Sequence, residues 1–505
     1  MEKLALIYVG GNTTRYALWK IEDDKSYRLL ESYKENLKLG RNTKEEFIIS
    51  EEKIDELVNI LSYFKEFSDS INATNTFVIL SEFFDRIRNK DDIRTRLESE
   101  LSMKVIELTS KEELYLDYLA LVNSMRLTNS LVVDISGGST QLAYIEDGTL
   151  KESHLLPLGT LSLTEMFSLE QQISKESHMN LESFLRDELT KVSWLSRYEY
   201  QDMVIVGGSA RAISKIDRKK RRYPMNIIHE YTMQDLDICS LYTNLMTKTL
   251  KQRYAIEGMD KERADILPSS LAILNALLEK TGISTLRVSG AGIREGFLFN
   301  YLTEHHGELG DMLDRSISNI LSRHNVDKER AENLYRLTKE IYNGMNGVHK
   351  DWQGLESIIK VSSKLRDVGL SVRFYNHDRH NFYIISNSEI NGIDHRQIIM
   401  SALAATFSNG LAKETPLLQY GQLINRMDLA MVYDIGICLS IAEKLLRSDG
   451  KIISLKETRV DENEVTFLLS ASEELHFEVH AVMKLKDIFY ELYSRQLKIK
   501  YELTK

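Results

Sequence analysis

Two short segments of this chain share a pattern of glycines and hydroxyl side chains that could bind an anion. Residues 6–18 align without gaps on residues 132–144, with Gly11 on Gly137. In each copy an aliphatic run leads into a small-residue turn and a second apolar run, which predicts strand, tight loop, strand. Glycines let backbone N–H groups approach a ligand, and Ser, Thr and Asn side chains add donors. The repeat favours two phosphate loops; the alternative is two ordinary β-hairpins with polar turns.

Two further glycine segments follow apolar runs. Residues 203–213 and, more weakly, residues 285–296 each predict a buried strand, a glycine turn and the start of a helix. Such junctions suit phosphates or nucleotides, because the N–H groups of the first helical turn point at the ligand. The candidate phosphate-binding residues are Gly10, Gly11, Asn12, Thr13, Arg15, Gly137, Gly138, Ser139, Thr140, Gly207, Gly208, Ser209 and Arg211.

The composition places these loops in a large folded protein. The chain has 505 residues, 43% of them hydrophobic, which predicts about three domains and excludes a disordered or fibrous protein. A formal charge of −10 argues against nucleic acid and anionic membranes as partners. Cys239 and Cys438 fit neither a disulfide framework nor a zinc site. With no signal-peptide pattern and no apolar window that approaches a membrane span, we expect a cytoplasmic protein.

Elements of both types lie between the loops. Apolar residues at helical spacing predict a helix over residues 51–67, and β-branched runs predict strands at 76–80 and 104–108. Near the end of the chain, residues 451–455 and 465–469 predict strands and residues 482–494 a helix. The pattern indicates an α/β protein.

At these residues the sequence resembles the exopolyphosphatase and guanosine pentaphosphate phosphohydrolase family, which belongs to the actin, sugar-kinase and Hsp70 ATPase superfamily. The family's two phosphate loops match residues 7–15 and 134–141. Its S-G-x-E-E-A segment, whose second Glu is catalytic, matches residues 110–114. Further family segments match residues 157–159, 207–211, 262–265 and 294–296. The matches follow the family's order, so the resemblance covers essentially the whole chain.

The resemblance implies the fold and the domain boundaries. We expect two actin-like (ribonuclease H-like) α/β domains over residues 1–125 and 126–305, with the active cleft between them. An all-α, HD-like domain should follow over residues 306–445, and a small C-terminal α/β domain over residues 446–505. A homodimer is expected.

The resemblance also assigns the chemistry. Glu113 takes the position of the catalytic residue, where a carboxylate can deprotonate the water that attacks a terminal phosphorus. By spacing alone Glu113 could instead lie on the solvated first turn of a helix. Asp134 is expected to bind Mg²⁺ that bridges phosphate oxygens, and the alternative is an Asp that caps its own turn.

Four positions depart from the family pattern. Tyr8 and Gln141 replace carboxylates of the two loops, and Asp85 replaces a phosphate-contacting Arg, with Arg86 and Arg88 only adjacent. We therefore expect Mg²⁺ to bind chiefly through substrate oxygens. In the HD-like domain Arg366 replaces a metal-binding His, so we expect that domain to lack a metal centre.

A run of basic residues follows the third glycine loop. It suggests a channel for a polyanion, unless it is a solvated charge run. Its candidate residues are Arg218, Lys219, Lys220, Arg221 and Arg222.

The expected function is a phosphoric anhydride hydrolase, an exopolyphosphatase acting on inorganic polyphosphate. The alternatives are a pppGpp phosphohydrolase and a weakly active or inactive regulatory protein that binds polyphosphate or ppGpp, as Tyr8, Asp85 and Gln141 suggest.

Overall fold

The structure, a computed structural model, describes residues 1–40, 47–350, 352–407, 415–448 and 451–504. The chain divides into two units. The N-terminal unit consists of Met1–Tyr223 and Ile228–Met312, and the C-terminal unit consists of Pro224–Ile227 and Leu313–Lys505. All four glycine segments identified in the sequence lie in the N-terminal unit.

The first sheet of the N-terminal unit has the strand order β3-β2-β1-β4-β5. Its strands are β1 (Glu2–Val9), β2 (Thr14–Ile21), β3 (Tyr27–Glu35), β4 (Asn75–Leu80) and β5 (Val105–Glu107). β1 and β2 form an antiparallel hairpin in which Val9 pairs with Thr14, so residues 10–13 make the turn. β4 runs parallel to β1, and β5 runs parallel to β4. The predicted strand, loop and strand over residues 6–18 are confirmed.

Central strand β1 is apolar on both faces, because helices cover the sheet on both sides. Ala5 and Ile7 pack in one apolar cluster with Leu57 of the first helix, whereas Leu4 and Leu6 belong to a cluster on the other face. The helical elements of this part are α1 (Glu51–Ser70), α2 (Lys90–Leu101), α3 (Ser110–Val122) and the 3₁₀ helix Glu82–Arg86.

The second sheet repeats the hairpin of the first. Its order is β10-β11-β9-β6-β7-β8, and β6 and β7 are antiparallel with Ile135 opposite Thr140, so residues 136–139 make the turn. β9 lies beside β6 as a parallel strand, and β11 runs parallel to β9. The strands are β6 (Asn129–Ile135), β7 (Thr140–Glu146), β8 (Thr149–Leu156), β9 (Asp202–Val206), β10 (Tyr231–Gln234) and β11 (Thr285–Val288).

Most helices between β8 and the end of the N-terminal unit pack on the second sheet. The last of them, α10, packs on the first sheet instead. Leu298 and Leu302 of α10 pack in the same apolar cluster as Leu4 and Leu6 of β1. The first sheet therefore takes a helix from the end of the segment predicted as the second domain, residues 126–305. The helices are α4 (Thr160–Phe167), α5 (Lys175–Thr190), the 3₁₀ helix Ser193–Ser196, α6 (Gly207–Arg221), α7 (Asp235–Met246), α8 (Leu250–Tyr254), α9 (Leu267–Thr281) and α10 (Ile293–His306).

The C-terminal unit begins with helices. Arg366 is buried among them, pairs with Glu443 at 2.9 Å and Asp378 at 3.4 Å, and donates to the carbonyl oxygen of Ala405. Arg366, which replaces the metal-binding His of the family pattern, thus places a positively charged guanidinium beside two carboxylates. The helices are α11 (Met312–Arg323), α12 (Lys328–Gly344), α13 (Glu356–Lys364), the 3₁₀ helix Val368–Ser371, α14 (His377–Ser386), α15 (His395–Ala405), α16 (Thr415–Tyr420) and α17 (Arg426–Leu445).

A three-stranded sheet follows the helices. Its strands, in the order β12-β13-β14, are β12 (Ile453–Val460), β13 (Glu464–Ala471) and β14 (Gln496–Leu503). The helix predicted over residues 482–494 is instead two short helices, α18 (His476–Met483) and α19 (Lys486–Tyr493). β14 was missed because its alternating lysines and apolar residues form an amphipathic edge strand. Within the described residues, no helix is long and apolar enough to span a membrane.

Candidate active site

A cavity of about 420 Å³ opens in the N-terminal unit, where the glycine loops of both sheets meet. The first loop contributes residues 10–13, and its turn is closed by the Gly10 N–H, which donates to the Thr13 carbonyl at 3.0 Å. A Cβ on Gly11 would lie 2.7 Å from the ring of Phe83, so only glycine fits there. Arg15, which pairs across the hairpin with Tyr8, also lines the cavity.

The second loop lines the cavity with its backbone more than with its hydroxyls. Gly137 and Gly138 lie at the surface of the cavity. Ser139 is buried and donates to Oε1 of Glu82 at 2.6 Å, and Thr140 donates to the carbonyl of Leu158 at 2.9 Å. The structure therefore commits both predicted phosphate-binding hydroxyls to bonds within the protein.

The third loop is the N-terminus of α6. Gly207 has a φ of +87°, and a Cβ there would collide with Oδ1 of Asp134, so this tight approach requires glycine. Gly207, Gly208 and Arg211 line the cavity. Ser209 does not, because it is buried and accepts a hydrogen bond from Ser270 at 2.8 Å.

Of the five described arginines that line the cavity, four act on one another electrostatically: Arg15, Arg211, Arg263 and Arg294. Burial, followed by repulsion from the other three, lowers the pKa of Arg15 to about 9. Burial also lowers the pKa values of Arg211 and Arg263. Such crowded cations favour a bound polyanion, which would relieve their repulsion. Arg263 and Arg294 lie in family segments recognised in the sequence but were not among the predicted site residues.

Glu113 is buried in the first turn of α3, only 2% exposed. Tyr8 donates its hydroxyl to Oε1 of Glu113 at 2.9 Å, and the N–H of Glu82 donates to the same oxygen at 2.9 Å. Burial raises the pKa of Glu113 to about 8, although both hydrogen bonds oppose that shift. The alternative of a solvated helix position is therefore wrong. Thr109 caps the helix, so that Glu112 faces solvent while Glu113 turns inward.

Other carboxylates also line the cavity, among them Asp134 and Asp117. Asp134 lies near the end of β6 opposite Val206, and burial raises its pKa to about 6, against the guanidinium groups of Arg211 and Arg15. Asp117 lies one helical turn after Glu113 and was missed by the sequence analysis, although its i,i+4 spacing places it on the same face of α3. Its pKa is raised by burial and then by the charge of Asp134.

These carboxylates fit a Mg²⁺ ion with an incomplete protein shell. Within the described part of the chain, both side-chain oxygens of Asp117 are buried without a hydrogen-bond partner, as an oxygen ligand awaiting a cation would be. Among the described residues, no three His, Cys, Asp or Glu side chains converge into a closed metal site. Mg²⁺ commonly binds one or two carboxylates and takes its other ligands from water and phosphate.

Arg86 supplies a cation near the position where Asp85 departs from the family pattern. Arg86 lines the cavity and donates to the carbonyl of Gly138 at 3.3 Å, whereas Asp85 pairs with Lys90 at 3.5 Å. The adjacent Arg therefore offsets part of the charge lost at Asp85.

The basic run lies at the other end of α6 from the cavity. At 1.5 Å per residue, the last turn of α6 is roughly 20 Å from Gly207, and none of the five residues of the run, all of which the structure describes, lines the cavity. Arg221 pairs with Asp217 at 2.9 Å and with Asp237. Arg218 lies over the ring of Tyr231, 5.9 Å from its centroid. The more exposed residues of the run are Lys219, Lys220 and Arg222.

Comparison with known proteins identifies the class. The Ppx/GppA phosphatase family matches residues 20–305, and domain III of that family matches residues 313–488. The chain belongs to the Ppx/GppA phosphatase family, whose members are hydrolases that act on phosphoanhydride bonds. The predicted family and actin-like α/β fold class are thereby confirmed.

The chain is similar to individual family members in sequence and in structure. A guanosine-5'-triphosphate,3'-diphosphate pyrophosphatase of Aeromonas hydrophila is 24% identical over 474 residues, which cover 91% of this chain and 92% of the relative. The crystal structure of an Aquifex aeolicus family member has a TM-score of 0.54 at 24% identity and covers 60% of this chain and 99% of its own. An exopolyphosphatase from Cytophaga hutchinsonii has a TM-score of 0.56 at 19% identity, with 60% and 98% covered.

Proposed function

We propose that this protein is an exopolyphosphatase that removes the terminal orthophosphate from inorganic polyphosphate. One observation supports the proposal above others: the buried carboxyl of Glu113 and a cluster of arginines line the same cavity as two backbone phosphate loops. Phosphoryl transfer needs positioning and charge neutralisation more than covalent chemistry, and these residues offer both, together with a base.

The roles of the residues follow from their positions. The arginines bind the non-bridging oxygens of the terminal phosphates, while backbone N–H groups of residues 11–13 and 137–139 orient them. Glu113, held by Tyr8 and the Glu82 N–H, accepts a proton from the attacking water. When bound, Mg²⁺ would neutralise charge on the phosphate oxygens, and Asp134 would be its ligand from the second loop.

Hydrolysis of pppGpp is the second candidate. The cavity has an apolar part, lined by Phe47, Phe83, Leu161 and Ile266, which could hold a nucleobase. Polyphosphate has no apolar group to place there. Two relatives carry the name guanosine-5'-triphosphate,3'-diphosphate pyrophosphatase.

The test is phosphate release from long-chain polyphosphate and from pppGpp, with and without Mg²⁺, by the wild type and Glu113→Gln. We expect Mg²⁺-dependent release with a higher kcat/KM for polyphosphate, and a loss on the order of 10² to 10⁴-fold in the variant. A higher kcat/KM for pppGpp would favour the second candidate. Binding of either compound without any release would instead assign the chain as a non-catalytic regulatory protein.

A further inference from the structure

Asp117 is a buried carboxylate without a hydrogen-bond partner among the described residues. Its side chain is 3% exposed, neither of its oxygens is paired within that part of the chain, and it lines the cavity. Buried polar groups in folded proteins are nearly always paired, so an unpaired carboxylate needs a physical reason. The proposed water activation uses Glu113 and leaves Asp117 without a role.

The surroundings of Asp117 leave room for an ion. A Cβ built on Gly292 would lie 3.5 Å from Oδ1 of Asp117 and 3.6 Å from Cγ1 of Val206. Val206 directly precedes Gly207, whose own Cβ position is filled by Oδ1 of Asp134. An oxygen of each carboxylate therefore lies beside a glycine, Gly292 for Asp117 and Gly207 for Asp134, and neither glycine contributes a side chain to the space there.

Electrostatics brings the same two groups together. After burial, the charge of Asp134 has the largest effect in raising the pKa of Asp117, followed by the charge of Glu113. A guanidinium also acts on Asp117, since Arg211 opposes these shifts. The repulsion between the two carboxylates would be relieved by a divalent cation bound to both.

We propose that Asp117 and Asp134 together bind a divalent cation of the Mg²⁺ type, and that Asp117 takes over a ligand role lost where Tyr8 and Gln141 replace carboxylates. Hard oxygen ligands suit Mg²⁺, and two carboxylates leave positions for water and for the phosphate oxygens of a substrate. This proposal rests on the proposed function only in that the phosphate oxygens are those of its substrate. It changes the expectation from the sequence, in which the substrate supplied most of the ligands.

The test is calorimetric titration of Mg²⁺ alone into the full-length protein at pH 8, without any phosphate compound. We expect saturable Mg²⁺ binding by the wild type, and an affinity lower by about tenfold or more in Asp117→Asn and in Asp134→Asn. Removing the hydrogen-bond partner of a metal ligand already lowers metal affinity by about this factor, and removing the ligand itself should lower it at least as much. Asp187→Asn removes an exposed carboxylate of α5 and should leave Mg²⁺ binding unchanged.

Thermal unfolding gives a second readout. Without Mg²⁺, Asp117→Asn should unfold at a higher temperature than the wild type, because the variant no longer buries an unpartnered carboxylate. Mg²⁺ should then raise the midpoint of the wild type more than that of the variant. If Asp117→Asn does not fold, Asp117→Ala takes its place in both measurements.

Two results would overturn the proposal: wild-type affinity for Mg²⁺ in the Asp117 variant, or no saturable Mg²⁺ binding by the wild type. Because no substrate is present, these results are independent of the proposed function. A protein that binds Mg²⁺ as expected but releases no phosphate would contradict the proposed function alone.

Discussion

Replacing Glu113 with Gln should stabilise the N-terminal unit at alkaline pH, although the same change should abolish hydrolysis. Burial raises the pKa of this carboxyl from 4.5 to about 8. Between these two pH values the folded state therefore binds a proton that the unfolded state has lost, so the contribution of Glu113 to stability falls as the pH rises. The amide side chain of the Glu113→Gln variant cannot titrate, so the variant should be free of this loss.

The size of the effect follows from the two pKa values. One pKa unit corresponds to about 1.4 kcal/mol, so the free energy of unfolding of the wild type should fall by about 3 to 4 kcal/mol between roughly pH 5 and pH 8, relative to the variant. Above the folded-state pKa the difference should level off. Both hydrogen bonds to Oε1 can persist in the variant, because the Gln side chain keeps an acceptor oxygen there.

Denaturant titrations followed by tryptophan fluorescence would measure the effect. The protein has 3 tryptophans, of which Trp19 and Trp194 lie in the N-terminal unit, so a Trp352→Phe background restricts the signal to that unit. The neighbouring variant Glu112→Gln is the matched control. Hydrogen bonds from the N–H and the hydroxyl of Thr109 lower the pKa of Glu112, so its contribution is present at neutral pH and lost as the pH falls. A Glu113→Gln difference that is the same at pH 5 and pH 8 would refute the reasoning.

Three further outcomes are expected. Replacing the exposed cations at the end of α6 with Ala should raise the KM for long-chain polyphosphate much more than the KM for short-chain substrate. An equal rise for both substrates would contradict a polyanion channel there. Those cations are Lys219, Lys220 and Arg222. Tyr8→Phe removes a hydrogen bond that lowers the pKa of Glu113, so the pH at which kcat/KM levels off should increase by about one unit. An unchanged pH profile would mean that Tyr8 does not act on the base. Gln141→Glu places a charge where the Gln Oε1 is buried without a partner among the described residues, and should tighten Mg²⁺ binding as measured by calorimetry; unchanged affinity would place Gln141 outside the metal's reach.

The sequence predicted the frame of the site because local patterns determine it. Repeated apolar runs around Gly11 and Gly137 predicted two hairpins, and both form with equivalent turns. The position of Glu113 came from the family resemblance, since one Glu in a Lys-Glu-Glu run carries no local sign of burial.

Features that depend on tertiary packing were harder to predict. Asp117 was missed because an Asp on a helix usually faces water, whereas here the start of α10 lies against it, with Gly292 beside Oδ1 of Asp117. The return of α10 to the first sheet is a long-range contact that no local pattern reveals. Ser139 and Ser209 resembled phosphate ligands by position, but their partners Glu82 and Ser270 are distant in sequence.

The most direct test of the account is the pH dependence of kcat/KM for phosphate release from long-chain polyphosphate, which reports the ionisation of the free enzyme. With Glu113 as the base, kcat/KM should rise about tenfold per pH unit and level off near pH 8, the pKa to which burial raises this carboxyl. The residual activity of Glu113→Gln should lack this rise. A wild-type rate already at its plateau at about pH 6, or a Glu113→Gln variant with the same profile and turnover as the wild type, would contradict the assignment of Glu113 as the general base.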